Sequence, residues 1–185
     1  MRLILFTFPL AIGLGYLLGG RLRNIGSIRL RLPWIGLAAV GLQLVPASGA
    51  LGSALLLASL VLLLVVGVAN RTVAGFGLVV AGLCFNFLVI AVNDGMPVTA
   101  EAIVASGQAD TIDDLRTGGA KHHLATPDDD LVFLADRFGI PAPVRQVVSL
   151  GDVVAYAGAM WFVIAGMRHR TPQPGPQRQA AEAVG

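Results

Sequence analysis

The chain has 185 residues, of which 55% are hydrophobic and only 13% charged, with a formal net charge of +2. That composition lies outside the soluble range, and the arginines flank apolar runs rather than forming an aromatic-interleaved basic face, which excludes a nucleic-acid reading. The single cysteine, Cys84, excludes an intramolecular disulfide and a multi-cysteine metal centre, and its apolar surroundings make it inert packing.

Stretches of roughly 20 apolar residues alternate with short charged patches, the pattern of a polytopic membrane protein. Twelve of the thirteen basic residues are Arg, and Ala, Gly, Val and Leu dominate, which suits a GC-rich bacterial genome. The first apolar run, 3–20, has its basic residues Arg21 and Arg23 behind it, opposite to a cleaved signal peptide, so it reads as a retained span. Pro9 offers a kink, and Gly15-x-x-x-Gly19 a close-packing face. The segment 21–31 carries four arginines and no acid. The next run, 33–46, is short, about 21 Å if helical throughout, and is the weakest span. Runs 51–69 and 73–92 follow, separated by the basic turn Asn70-Arg71, and 147–167 is the last, followed by Arg168, His169 and Arg170. The Pro/Gln/Ala-rich remainder, 171–185, is too poor in large apolar residues to fold alone and reads as a disordered cytoplasmic tail.

Charge sets the expected topology. With five spans, Arg21, Arg23, Arg29, Arg31, Arg71, Arg168, Arg170 and Arg178 fall on one side, which the positive-inside rule makes cytoplasmic. The other side receives the loop 94–146, where nine of the eleven acids lie. The expectation is therefore one membrane domain, 1–170, in a bacterial plasma membrane, with the N-terminus outside, the C-terminus cytoplasmic and the loop extracytoplasmic.

Within the loop, Thr126-Pro127-Asp128-Asp129 has the composition of a helix start. Leu131, Leu134 and Phe138 recur at helical spacing, and Gly139 stands where a C-cap glycine would. A surface helix is predicted there, and a second short one between Thr99 and Gly107. Ile140-Pro141-Ala142-Pro143 reads as an extended connector.

Several polar residues are candidates for chemistry. In Lys121-His122-His123, the Lys and an imidazole suit an anion or phosphate, the histidines with Asp128, Asp136 or Asp152 suit a metal, and interfacial polarity alone accounts for the same residues. The triplet Asp128-Asp129-Asp130 suits a helix dipole better than a metal. Asp152 enters the last span with Tyr156 at i+4, either as a costly intramembrane acid or as an interfacial acid at a helix start. Gly151, Ala155 and Ala159 form a small-residue stripe beside it. Asn86 and Asn93, seven apart, share a face of the fourth span as hydrogen-bonding glue, with Gln43 a possible partner. No nucleotide loop, nucleophile elbow, zinc-protease helix or dinucleotide fingerprint occurs.

The motif Asn93-Asp94-Gly95-Met96-Pro97, then Lys121-His122, Leu134-Ala135-Asp136, Pro141-x-Pro143 and finally Ser149-Leu150-Gly151-Asp152, resembles the small multi-span bacterial membrane proteins of the domain-of-unknown-function family numbered 5317. The likeness extends over nearly everything before the tail and departs at Asn93-Asp94-Gly95, where the family motif carries an additional glycine. It implies an architecture and no activity.

The expected fold is an all-α polytopic membrane protein of five transmembrane helices with a partly helical extracytoplasmic loop between the fourth and fifth. The expected site is a polar cluster of Asn93, Lys121, His122, Asp136, Asp152 and Tyr156 at the outer mouth, with no metal and no cofactor. The leading function is a non-catalytic binding or accessory protein. The alternatives are an outer-leaflet enzyme on a phosphorylated lipid and a small permease with a polar path near Asp152. The expected partners are the lipid bilayer and an anionic lipid headgroup or another membrane protein.

Overall fold

The computed structural model describes residues 2–47, 49–116 and 121–169; the expected tail 171–185, with Arg170, lies outside them. The chain is mostly helical. Five apolar helices form its body: α1 Ile4–Leu17, α2 Pro33–Leu44, α3 Gly49–Ala69, α4 Phe76–Val92 and, after the polar segment, the helix Leu150–Arg168. The polar segment contributes β1 Met96–Val98, α5 Ala100–Ala105, α6 Ile112–Arg116, β2 His122–Leu124, β3 Phe138–Ile140 and β4 Gln146–Val148, so Leu150–Arg168 is α7. Both α3 and α7 are long and apolar enough to cross a membrane.

The helices pack in the order α2–α3–α4–α7–α1, with α4 against α7 the most extensive pairing. Glycine makes that pairing close. Gly75 and Gly82, seven apart, face Gly158 and Gly151, also seven apart, so each pair lies on one side of its helix. A Cβ at Gly82 would meet the backbone of Gly151 and Ala155, and one at Gly158 the backbone of Gly75 and Val79. The expected pair Gly15 and Gly19 is realised differently. Gly15 and Gly20 press on Met167, while Gly19 turns the chain at φ 76 with open space around it.

The two ends of this body differ. At one, Arg21 N–H donates to the Met167 carbonyl, as does the Asn24 amide, and the buried Asn70 side chain bonds Arg31 N–H and carbonyl. Arg21, Arg31, Arg71 and Arg168 therefore gather there. At the other, Leu3 N–H donates to Gln146 and Ser53 to the Asp94 carbonyl, so the start of α1 and of α3 meet the polar segment. Helix α2 joins these ends although its 12 residues rise only about 18 Å. Arg31 just before it lies on Asn70, and Gln43 and Val45 at its far end lie under Lys121. Outward faces carry large apolar side chains, among them Leu5, Leu17, Trp34, Leu37, Leu44 and Leu51, all more than half exposed.

The polar segment is folded onto the body. Its Met96 and Leu134 are buried with Leu60, Val89 and Ile90 of α3 and α4 in one apolar cluster. β1 pairs in parallel with β2, setting Met96 opposite His122, and Val98 bridges Asp136 on its other side. β3 and β4 form an antiparallel pair leading into α7. The short helix expected between Thr99 and Gly107 is α5.

The helix expected after Thr126 does not form. Asp129 Oδ2 accepts from Thr126 N–H and hydroxyl, His123 holds Oδ1, and Asn93 takes both backbone groups of Asp130. These bonds occupy groups that a first helical turn would need free, and Leu131 at φ 54 ends any propagation. Only Val132–Leu134 coils, as a single 3-10 turn. Gly139 is needed for contact and not as a cap, since a Cβ there would meet the Ala102 carbonyl of α5.

Candidate functional site

The floor of the site is the start of α7. Ser149 is its N-cap and Asp152 its N3 residue, joined in a capping box: Asp152 N–H donates to Ser149 Oγ at 2.9 Å, and Ser149 N–H to Asp152 Oδ2 at 3.4 Å. Asn86 of α4 completes the arrangement. Its amide donates to Asp152 Oδ1 at 2.7 Å and its carbonyl accepts from the Ser149 hydroxyl at 2.8 Å. Asp152 is thus an acid at a helix start, held by a dipole and an interhelical amide. Gln43, a candidate partner for the asparagines, instead donates to Ser59 of α3.

Above this floor lies a cleft of about 310 Å³ lined by Arg2, His122, Asp136, Arg145, Gln146 and Gln108, with Val98, Ile103, Leu115 and Val147 among its apolar walls. Asp136 is fixed from both sides of its backbone: its N–H donates to Pro97 and its carbonyl accepts from Thr99. Its side chain is only 9% exposed, Oδ1 has no hydrogen-bond partner, and the nearest cationic candidate, His122 Nε2, is 3.8 Å from Oδ2. That separation is too long for a hydrogen bond. Burial, reinforced by the Asp152 charge, raises the Asp136 carboxyl well above its ordinary range, which favours its protonated form. His122 is displaced in the opposite sense. Its ring edge is half exposed, but the protein around it withholds solvent and lowers its basicity; Asp152 opposes this, and Lys121 and His123 add to it.

The expected cluster is therefore divided. Structure brings His122 and Asp136 to one cleft, with Asp152 acting on both through space. Tyr156 is one link away, its hydroxyl bonded to the Gln146 side chain. Lys121 points elsewhere: Nζ donates to the Gln43 carbonyl at 2.5 Å and to Val45 at 3.4 Å, capping the C-terminal end of α2. Asn93 ties the end of α4 to Asp130. His123 pairs with Asp129 at 2.9 Å; partial burial pushes that carboxyl up, but the Thr126 N–H and His123 outweigh it and hold it below its usual range. Among the described residues, no group of three or more His, Cys, Asp or Glu is placed to hold a metal ion.

Sequence reasoning missed Arg2, Gln108, Arg145 and Gln146. Arg145 carried one legible signal, an isolated base between the Pro141-Ala142-Pro143 stretch and the last span. Arg2 carried none, because only packing of α1 on α7 brings it to the polar segment.

A family model described as "Family of unknown function (DUF5317)" matches residues 28–164. No curated protein matches, and no solved structure does.

Proposed function

Because the chain belongs to the DUF5317 family, whose function is unknown, no activity comes to it by descent, and we propose from its geometry a multi-pass membrane binding protein. In this reading α1, α2, α3, α4 and α7 all span a bacterial plasma membrane. The N-terminus and the cap 94–146 lie outside, the basic end inside, and the cap closes a polar mouth that holds a ligand or partner.

The observation that carries the binding reading is Asp136: a backbone-clamped, buried carboxyl with an unpartnered oxygen, lining a cleft and unused by the fold. Buried polar groups are normally satisfied, and exceptions are characteristic of sites. The membrane reading is supported by helices apolar on every side and by the exposed large side chains along them, which water would not tolerate over such an area. Segregation of Arg21, Arg31, Arg71 and Arg168 at the end opposite the cap supports the orientation. The permease alternative has less support, because below Asp152 the α4–α7 seam is glycine against backbone. The enzyme alternative would rest on His122 and Asp136, which do not hydrogen-bond to one another.

Impermeant-maleimide labelling in intact cells tests the arrangement, with Cys84 replaced by Ser. A cysteine at Glu101 should label from outside, and one at Arg71 only after permeabilisation. The converse pattern would overturn the topology. For the ligand, native mass spectrometry of gently purified wild type should show a bound species that Asp136→Leu loses. Equal spectra from both would remove the site.

A further inference from the structure

The cleft has a chemical bias beyond its being a site. Arg2 and Arg145 are its two permanent charges. Arg2 makes no ion pair among the described residues, and Arg145 meets only the exposed Asp110, at 4.0 Å. The Arg145 guanidinium also donates to the Gly107 carbonyl, which steadies it at the rim. Its backbone adopts φ 46, in the left-handed region where glycine is favoured, yet the position carries the bulkiest of cations. Gln108 and Gln146 also line it, their amides already bonded to Ser106 and to Leu3 and Tyr156, and Val98, Ile103, Leu115 and Val147 give one wall an apolar character.

Resting on the reading of the cap as a binding site, we propose that this cleft binds an oxyanion, a phosphate or carboxylate group, gripped by Arg2 and Arg145 and hydrogen-bonded by Asp136. Guanidinium groups suit such planar or tetrahedral oxyanions through paired N–H donors. Asp136 belongs with them as a donor. A neutral carboxyl has an O–H to offer, and beside an anion its ionised form would be repelled. His122 contributes a ring nitrogen at the edge. Lys121, the one lysine and the obvious phosphate ligand by sequence, takes no part, since α2 holds it. The oxyanion has two conceivable sources, a lipid headgroup and a soluble phosphate ester. The apolar wall and the position over the helix ends favour the amphiphile.

Full-length protein in phosphatidylcholine nanodiscs, titrated by calorimetry against empty discs, provides the test. Decyl phosphate should bind saturably at one site. Arg145→Gly, which suits the backbone at that position, and Arg2→Gln should each weaken binding by about tenfold or more while thermal unfolding stays close to wild type. Asp136→Asn, which keeps an N–H donor, should bind nearly as wild type, and Asp136→Leu should lose tenfold or more. Glycerol 3-phosphate that binds as tightly as decyl phosphate assigns the oxyanion to a soluble ester; decyl phosphate that binds tenfold or more tighter assigns it to a lipid headgroup. Absence of saturable binding by both anions, or undiminished binding in folded Arg145→Gly and Arg2→Gln, would overturn the proposal. Saturable decyltrimethylammonium binding that Asp136→Leu abolishes would also overturn it, while leaving the cleft a binding site.

Discussion

Replacing Gly151 by Ala adds one methyl group where α7 presses on the backbone of α4. An ideal Cβ there would stand 2.6 Å from the Gly82 carbonyl oxygen and 2.7 Å from Asn86 Cγ, where ordinary contact begins near 3.4 Å. The carbonyl belongs to helix backbone and cannot swing aside, so the helices must part by most of an ångström. Overpacking of this kind costs about 1–3 kcal/mol. The same displacement stretches the 2.7 Å bond from Asn86 to Asp152 toward the limit of hydrogen bonding. An interhelical hydrogen bond between apolar helices contributes about 0.6 kcal/mol on average and about 1.7 at most, so the total is roughly 2–5 kcal/mol. Thermal unfolding in mild detergent, followed by circular dichroism, measures it. Gly77→Ala is the control, because nothing lies within 4 Å of its Cβ; it should be neutral or slightly stabilising through helix propensity. A Gly151→Ala protein that unfolds with the control would refute the seam as the principal α4–α7 contact.

Asp136 should make stability depend on pH. The folded state holds this proton more tightly than the unfolded chain, which releases it at its ordinary value of 3.8, so stability present below that value is lost as pH rises through the raised one. His122, Asp152, Tyr156, Arg2 and Arg145 are the charged or titratable groups around it, and His122 works in the opposite sense, its contribution falling away as pH drops below its ordinary 6.5. In a His122→Gln background the protein should therefore lose stability as pH rises above about 4, and Asp136→Asn should flatten that slope; a slope unchanged by the Asn would show Asp136 ionised throughout. Lys121→Met should lower stability by about 1 kcal/mol, through loss of the cation on the α2 carbonyls, and leave decyl phosphate affinity unchanged. A tenfold loss of affinity in that variant would return Lys121 to the site.

The residues themselves determined the helical body. Long apolar runs need no partner to declare themselves as helices, because in each the backbone bonds within its own segment and the side chains are apolar on every face. The five helices accordingly lie where composition alone put them, each end within a few residues. Family membership was also legible, since its motifs are local strings. The cap was not. Thr126-Pro127-Asp128-Asp129 is a sound helix start taken alone, and Asn93, more than thirty residues earlier, decides against it by taking the backbone of Asp130. Lys121 looked like a ligand for phosphate until α2 came beneath it, and Arg2 became a site residue only when α1 was laid against α7. Short elements bury too little to specify themselves, so their form is chosen by long-range bonds from side chains to backbone, and those exist only once the helices have assembled.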